Sequence, residues 1–407
     1  MKYLNWQALF LLLLFTLSCS DNNDIEEPVF ETLVSEDFNR TITQSSMEFF
    51  WVTLAGQPDA ASYINHDVDV YRIVYQTRDI NGNSIEASGA VIVPVDAPQP
   101  GLLSIQHATI FSNGEAPSVD ATSNSATTRK AIFASAGNIV FLPDYLGYGV
   151  TSIQPHPYQH KETLASASYD MILAGMEFLE ANDIEWSGNS IDLIGYSEGA
   201  YATLALAEKM ETGPSPLQPG LISMGAPIFD LSSTMDYVIN NVDQPAECVA
   251  CYAYFLQSYH NIYSFPRPLS EYFNSPYDER ISEGLFDGSL SSAQVVSQLP
   301  ETMTELFTDS FIERYLNGEE VELESAVAEN NLLYVPSAEV LLVHGDSDGV
   351  APIFNSDEFE ERAVETGKTN LTYLRPEGVN HSEGIFPWGL ETLARLESAS
   401  KQLLVKY

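Results

Sequence analysis

The chain alternates short apolar runs with longer amphipathic stretches, the pattern of a mixed α/β domain. DVYRIVYQTRD and SIEASGAVIVPV alternate apolar and polar positions around Asn81-Gly82-Asn83, which predicts an antiparallel hairpin. GLLSIQHA and GNIVFLPDY are continuous apolar runs, as expected of strands in a parallel sheet covered on both faces. IDLIGY, GLISMGAP, EVLLVHG and NLTYLRP continue the series. Between them, HKETLASASYDMILAGMEFLEAN and AYATLALAEKM space their apolar residues as helices do, and WGLETLARLESASKQLLVKY closes the chain as a further helix. The predicted architecture is a mostly parallel twisted sheet flanked by helices, with no internal repeat.

Residues 232–335 interrupt that rhythm. They carry Tyr252, Tyr254, Phe255, Tyr259, Tyr263, Phe265, Tyr272 and Phe273, and their helical stretches are broken by Pro266 and Pro268. A mainly helical lid or cap is expected here, with most of its aromatics in its own core.

The first residues read as an address. Lys2 is the positive end, ALFLLLLFTL a short apolar run, and Ser18-Cys19 its close. The run falls short of the ~20 apolar residues that span a bilayer, so residues 1–18 are expected to be a cleaved export signal. Cys19 followed by Ser20-Asp21-Asn22-Asn23-Asp24 resembles a bacterial lipoprotein signal, in which the cysteine is lipidated and becomes N-terminal. Residues 19–45 are then expected to be an acidic tether, with the folded domain at 46–407. The implied location is the outer membrane, at the cell surface, with the periplasm or secretion as alternatives.

Composition adds size and charge. The 407 residues are 44% hydrophobic, enough for a sizeable core. With 17 basic against 57 acidic residues the net charge is −40, which repels nucleic acid and anionic membrane surfaces.

The candidate chemistry centres on IDLIGYSEGA. Gly195-Tyr196-Ser197-Glu198-Gly199 is G-x-S-x-G between a predicted strand and a predicted helix. A serine hydroxyl is a poor nucleophile until it is lifted clear of the backbone and met by a base. The turn does the lifting, and the Glu198 N–H is aimed at a developing oxyanion. An acid and a histidine should follow in that order. Asp346 and Asp348 lie just past the strand EVLLVHG, and His381 lies in the loop after NLTYLRP. His381 is assigned as base, with the acid left between the two aspartates. Among other histidines, His344 is expected to brace the acid loop, and His107 to belong to the oxyanion region. His156 and His160 precede a helix, and His66 and His260 read as surface or satisfied core residues.

These motifs together resemble the α/β-hydrolase superfamily, and the chain is most similar to secretory lipases of the lipase-A type. FLPDYLGYGVTSIQPHPY resembles that family's P-D-Y-x-G-x-G…H-P-Y segment, and MGAPIFDL resembles the strand leading into its lid. The resemblance implies an α/β-hydrolase fold and an acid placed after H-G-x-x, hence Ser197, Asp348 and His381 as the catalytic set. SIQHATIF matches the place where such enzymes build half of the oxyanion hole. Many relatives have His-Gly there, where this chain has His107-Ala108-Thr109, so the Thr109 and Ala108 backbone N–H groups are the second-donor candidates. The implied activity is carboxylic-ester hydrolysis through an acyl-enzyme, on a small ester or lipid, without metal or organic cofactor. A serine peptidase with the same triad and a non-catalytic surface binding lipoprotein are the competing readings. Cys248 and Cys251 form a C-x-x-C without further zinc ligands nearby, for which a local disulfide is expected in an exported protein.

Overall fold

The computed structural model describes residues 31–120, 126–244 and 246–405. The predicted export signal and Cys19 lie outside the described residues. The sheet is built from β1 (Leu33–Ile42), β2 (Val68–Arg78), β3 (Ser84–Pro94), β4 (Gly101–Gln106), β5 (Asn138–Pro143), β6 (Ser190–Tyr196), β7 (Gln218–Gly225), β8 (Glu339–Val343) and β9 (Leu371–Leu374). Its order is β1-β2-β3-β5-β4-β6-β7-β8-β9. From β5 through β9 every pairing is parallel, and β1, β2 and β3 add antiparallel strands at the other side.

Helices cover both faces. On one, Lys161–Ala181 and Glu198–Thr212 bury Phe178, Leu204 and Leu206 against Phe141 and Leu193 of the strands. On the other, Ala126–Ser135 and the C-terminal helix His381–Val405 bury Ile132, Trp388 and Leu393 against Val140, Ile194 and Leu341. With two covered faces, β4, β5 and β6 are buried almost throughout rather than alternating. Among the described residues no helix is long and apolar enough to cross a membrane.

The sheet begins earlier than the expected domain start at residue 46. Residues 33–42, assigned to an acidic tether, form β1, paired antiparallel with β2. The strand is mostly exposed, with Glu36 and Asp37 facing solvent, as suits an edge. Its entry is held by the Glu177 carboxylate, which accepts from the Leu33 N–H at 2.6 Å and the Thr32 N–H at 3.0 Å.

Between β7 and β8 the chain forms a run of helices, including Leu231–Asn240, Val249–Tyr263, Asp309–Leu316 and Val321–Glu329. Tyr259, Tyr272, Phe273, Phe307 and Phe311 are buried within this insertion and against the sheet-covering helices. The insertion is therefore a packed body with its own aromatic core.

Candidate active site

β6 ends at Tyr196, and the helix Glu198–Thr212 starts at once. Ser197 joins them at φ 57°, ψ −122°, a left-handed-side conformation that a non-glycine residue adopts only under constraint. The flanking glycines permit it. A Cβ on Gly195 would lie 2.1 Å from the Gly199 carbonyl oxygen, and one on Gly199 would lie 2.2 Å from that of Gln106. The Ser197 N–H donates to the Gly225 carbonyl at 2.8 Å, fixing the turn to β7.

A chain of hydrogen bonds starts at the serine. Ser197 Oγ lies 2.9 Å from His381 Nε2, and His381 Nδ1 lies 2.7 Å from Asp348 Oδ2. His381 is the first residue of the last helix, and its carbonyl accepts from the Tyr196 hydroxyl at 2.6 Å. Asp348 sits in the turn after β8. Its Oδ1 accepts from the Val350 and Ala351 N–H groups at 2.9 and 2.8 Å. His344 Nε2 stands 3.3 Å from Asp348 Oδ2, and its Nδ1 is 2.7 Å from Ser356 Oγ. Burial alone would push the Asp348 carboxyl up. Hydrogen bonds from His344 and His381 outweigh it and hold the carboxyl well below the usual range. Asp346 points elsewhere: it is exposed and accepts from the Gly378 N–H at 2.7 Å, a turn-bracing contact.

The region for a developing anion lies between two loops. The Glu198 N–H is the first of its helix and so has no intrahelical acceptor. Opposite, His107 is buried after β4, while Ala108 and Thr109 are half-exposed. His107 Nε2 is 3.0 Å from the Asp144 carbonyl oxygen and Nδ1 is 2.8 Å from that of Ala108. Burial, helped by the Lys130 charge, pushes His107 down to about 3. Thr109 Oγ1 is hydrogen-bonded to the Tyr158 hydroxyl at 2.8 Å.

A pocket opens on Ser197. Its walls are largely apolar: Ile228, Leu231, Met235, Tyr252, Phe255 and Val350. Most of these belong to the first two helices of the insertion or the segment leading into them. Of the insertion's aromatics, Tyr252 and Phe255 line the pocket, whereas Tyr259 and Phe265 are packed in its core.

Cys248 and Cys251 are joined in a disulfide at the start of the second of these helices, and Cys251 lies on the pocket wall. His160 immediately precedes the helix Lys161–Ala181, with Nδ1 3.0 Å from the Thr163 hydroxyl; His66 Nδ1 meets the Val95 carbonyl, and His260 Nε2 meets that of Arg267. His156 precedes the same helix as His160, as expected, and has a further role in packing. It is buried against the Glu198 side chain, directly behind the serine turn. Sequence reading missed this contact and the Tyr196–His381 bond. Neither pairing has a sequence spacing that reveals it.

A sequence profile of the secretory lipase family matches residues 130–387. No curated protein matches the chain. Among solved structures, a Legionella pneumophila protein classed provisionally as a hydrolase is 25% identical, covering 91% of this chain and 98% of that one, with a TM-score of 0.81. The rice cell wall degrading esterase LipA of Xanthomonas oryzae is 21% identical over 93% of this chain and 100% of its own, with a TM-score of 0.76. Candida antarctica lipase A is 15% identical over 86% and 77%, with a TM-score of 0.62. The last two likenesses carry the fold: an α/β-hydrolase sheet with helical insertions.

Proposed function

The chain belongs to the secretory lipase family and is a carboxylic-ester hydrolase, and from that premise we propose that it works through an acyl-enzyme on Ser197. The observation that carries this reading is the unbroken chain Ser197 Oγ–His381 Nε2–Asp348 Oδ2 at the mouth of an apolar pocket. Ser197 Oγ attacks the ester carbonyl while His381 Nε2 takes its proton. Asp348 fixes the His381 tautomer, with Nδ1–H donating to the carboxylate, and stabilises the imidazolium that forms. The oxyanion is held by the Glu198 N–H and by a backbone N–H of Ala108 or Thr109. Collapse expels the alcohol, which leaves with the proton from His381. Water, deprotonated by His381, then attacks the acyl-serine and frees the acid. The apolar pocket takes the acyl chain, and residues 232–335 act as its lid.

The test is hydrolysis of chromogenic esters from acetate to palmitate, beside aminoacyl amides. Ester turnover is expected to exceed amide turnover throughout, and Ser197→Ala should lose roughly 10⁴- to 10⁶-fold while melting like the wild type. A variant that kept a tenth of the activity would remove Ser197 from the mechanism.

The family is a secretory one. We propose further that export proceeds through residues 1–18 and that a diacyl anchor on Cys19 tethers the enzyme to the outer membrane, since two chains give the stable attachment that one does not. A mature N-terminus carrying lipid mass on Cys19 is the expected finding. A soluble protein with a free N-terminus contradicts it.

A further inference from the structure

Directly behind the serine turn lies a charged pair for which the proposed mechanism has no use. Glu198 follows the nucleophile, its backbone N–H is the proposed oxyanion donor, yet its side chain is buried. Glu198 Oε1 meets His156 Nε2 at 2.8 Å, with both side chains 1% exposed. His156 Nδ1 is 2.6 Å from the Leu146 carbonyl oxygen. A carbonyl oxygen only accepts, so Nδ1 carries a proton. One more proton must then lie between Nε2 and the carboxylate, because an unprotonated nitrogen facing an unprotonated carboxylate is repulsive. The pair holds that proton as imidazolium and carboxylate or as imidazole and carboxylic acid, and is neutral overall in either form.

The surroundings are built to hold this pair. Gly147, at φ 90°, lets its backbone close on His156, since a Cβ there would strike the His156 Cα. The Ser258 hydroxyl donates to the His156 carbonyl at 3.1 Å. The rings of Tyr145, Tyr148, Tyr158 and Tyr254 surround the imidazole at centroid distances of 6.0, 4.9, 6.1 and 6.0 Å. Burial above all pushes the four phenols up and keeps them un-ionised. Among the titratable neighbours, His107 is pushed down by burial, with the Lys130 and His156 charges acting in the same direction. A bare carboxylate here, one residue from a forming oxyanion and in a low-dielectric site, would oppose that anion.

Resting on the reading of Ser197 and Glu198 given above, we propose that His156 is a positioning residue for the oxyanion hole: it pins the Glu198 side chain and, by sharing one proton with it, keeps the ground behind the hole electrically neutral. The role is exerted through Glu198 and not on substrate. It accounts for a glutamate in the middle of the serine turn, where an unpaired acid would oppose catalysis.

The experiment compares His156→Gln, His156→Gln/Glu198→Gln and Ser197→Ala with the wild type, measuring kcat, KM, melting and the pH dependence of kcat. His156→Gln leaves the carboxyl without its proton-sharing partner. Its kcat should fall about ten- to hundredfold with KM within about threefold, as expected for a charge felt in the transition state. The ratio of mutant to wild-type kcat should rise as pH falls, because a buried carboxyl without a partner takes up a proton. That ratio cancels the titration of the triad itself. Adding Glu198→Gln replaces the charge by an amide and should recover at least a factor of five. A merely structural role would lower melting and leave the ratio flat with pH. Wild-type kcat in His156→Gln, or a flat ratio with no recovery in the double variant, overturns the proposal. Should His156→Gln not fold, the double variant decides alone: kcat within tenfold of wild type supports neutrality as the requirement, and a loss as deep as that of Ser197→Ala overturns it. Activity retained in Ser197→Ala would instead remove the reading on which the proposal rests.

Discussion

At the scale of single residues, the two aspartates after β8 carry the clearest contrast. Asp348 is nearly excluded from solvent and donates order to the site through His381, while Asp346 is exposed and braces a turn. Asp348→Asn should therefore lower kcat by orders of magnitude, about 10⁴-fold where a wrong histidine tautomer results. Asp346→Asn should change it less than about threefold. Parallel kinetics on the two variants check this, and the reverse ranking would move the acid to Asp346. The Asp348 carboxyl is depressed, so its contribution to stability is present above its unfolded value and is lost only as pH falls through the lower folded one. An acid limb of activity at moderate pH accordingly does not come from Asp348. The serine and the H-G-x-x aspartate were legible because local motifs carry them. His156 and Tyr196 were not, because a partner 42 residues on or 185 residues on leaves no periodic trace.

At the scale of elements, the strands were legible and one boundary was not. β4, β5 and β6 are buried almost throughout because both faces are covered, and a continuous apolar run is a strong signal. β1 is an edge strand whose exposed, polar residues look like a tether until β2 is beside it. The insertion divides similarly. Phe255 lines the pocket, whereas Tyr259 is fully buried in the insertion's core with its hydroxyl donating to the Gln159 carbonyl. Phe255→Ala should shift acyl-chain preference between C4 and C16 esters by tens-fold, since each methylene in a pocket is worth ~1–3 kcal/mol. Tyr259→Ala should keep the parent profile and lose stability, on the order of 3–5 kcal/mol as for other large aromatic truncations. Chain-length kinetics beside melting curves separate the two. If both variants only melted lower, Phe255 would be core and the acyl pocket would lie elsewhere.

At the scale of the whole molecule, the sheet order is what assembles the site. β6, β7, β8 and β9 are adjacent and parallel, so the loops after β6, β8 and β9 emerge at one edge, at the carboxyl ends of their strands. Ser197, Asp348 and His381 come from those three loops, and only the fold makes neighbours of residues 197 and 381. The order Ser, acid, His is readable along the chain, whereas the insertion's path beside the serine is not, since helix packing has no local signature. The central claim is that Ser197 carries the acyl group. The most direct measurement is acid quench during turnover of a slowly deacylating ester, followed by peptide mass spectrometry. The account predicts the acyl mass on the peptide containing Ser197, formed in step with the first equivalent of alcohol and absent in Ser197→Ala. An acyl group on another residue, or steady ester turnover with no acyl-peptide accumulating when deacylation is shown to be rate-limiting, would contradict it.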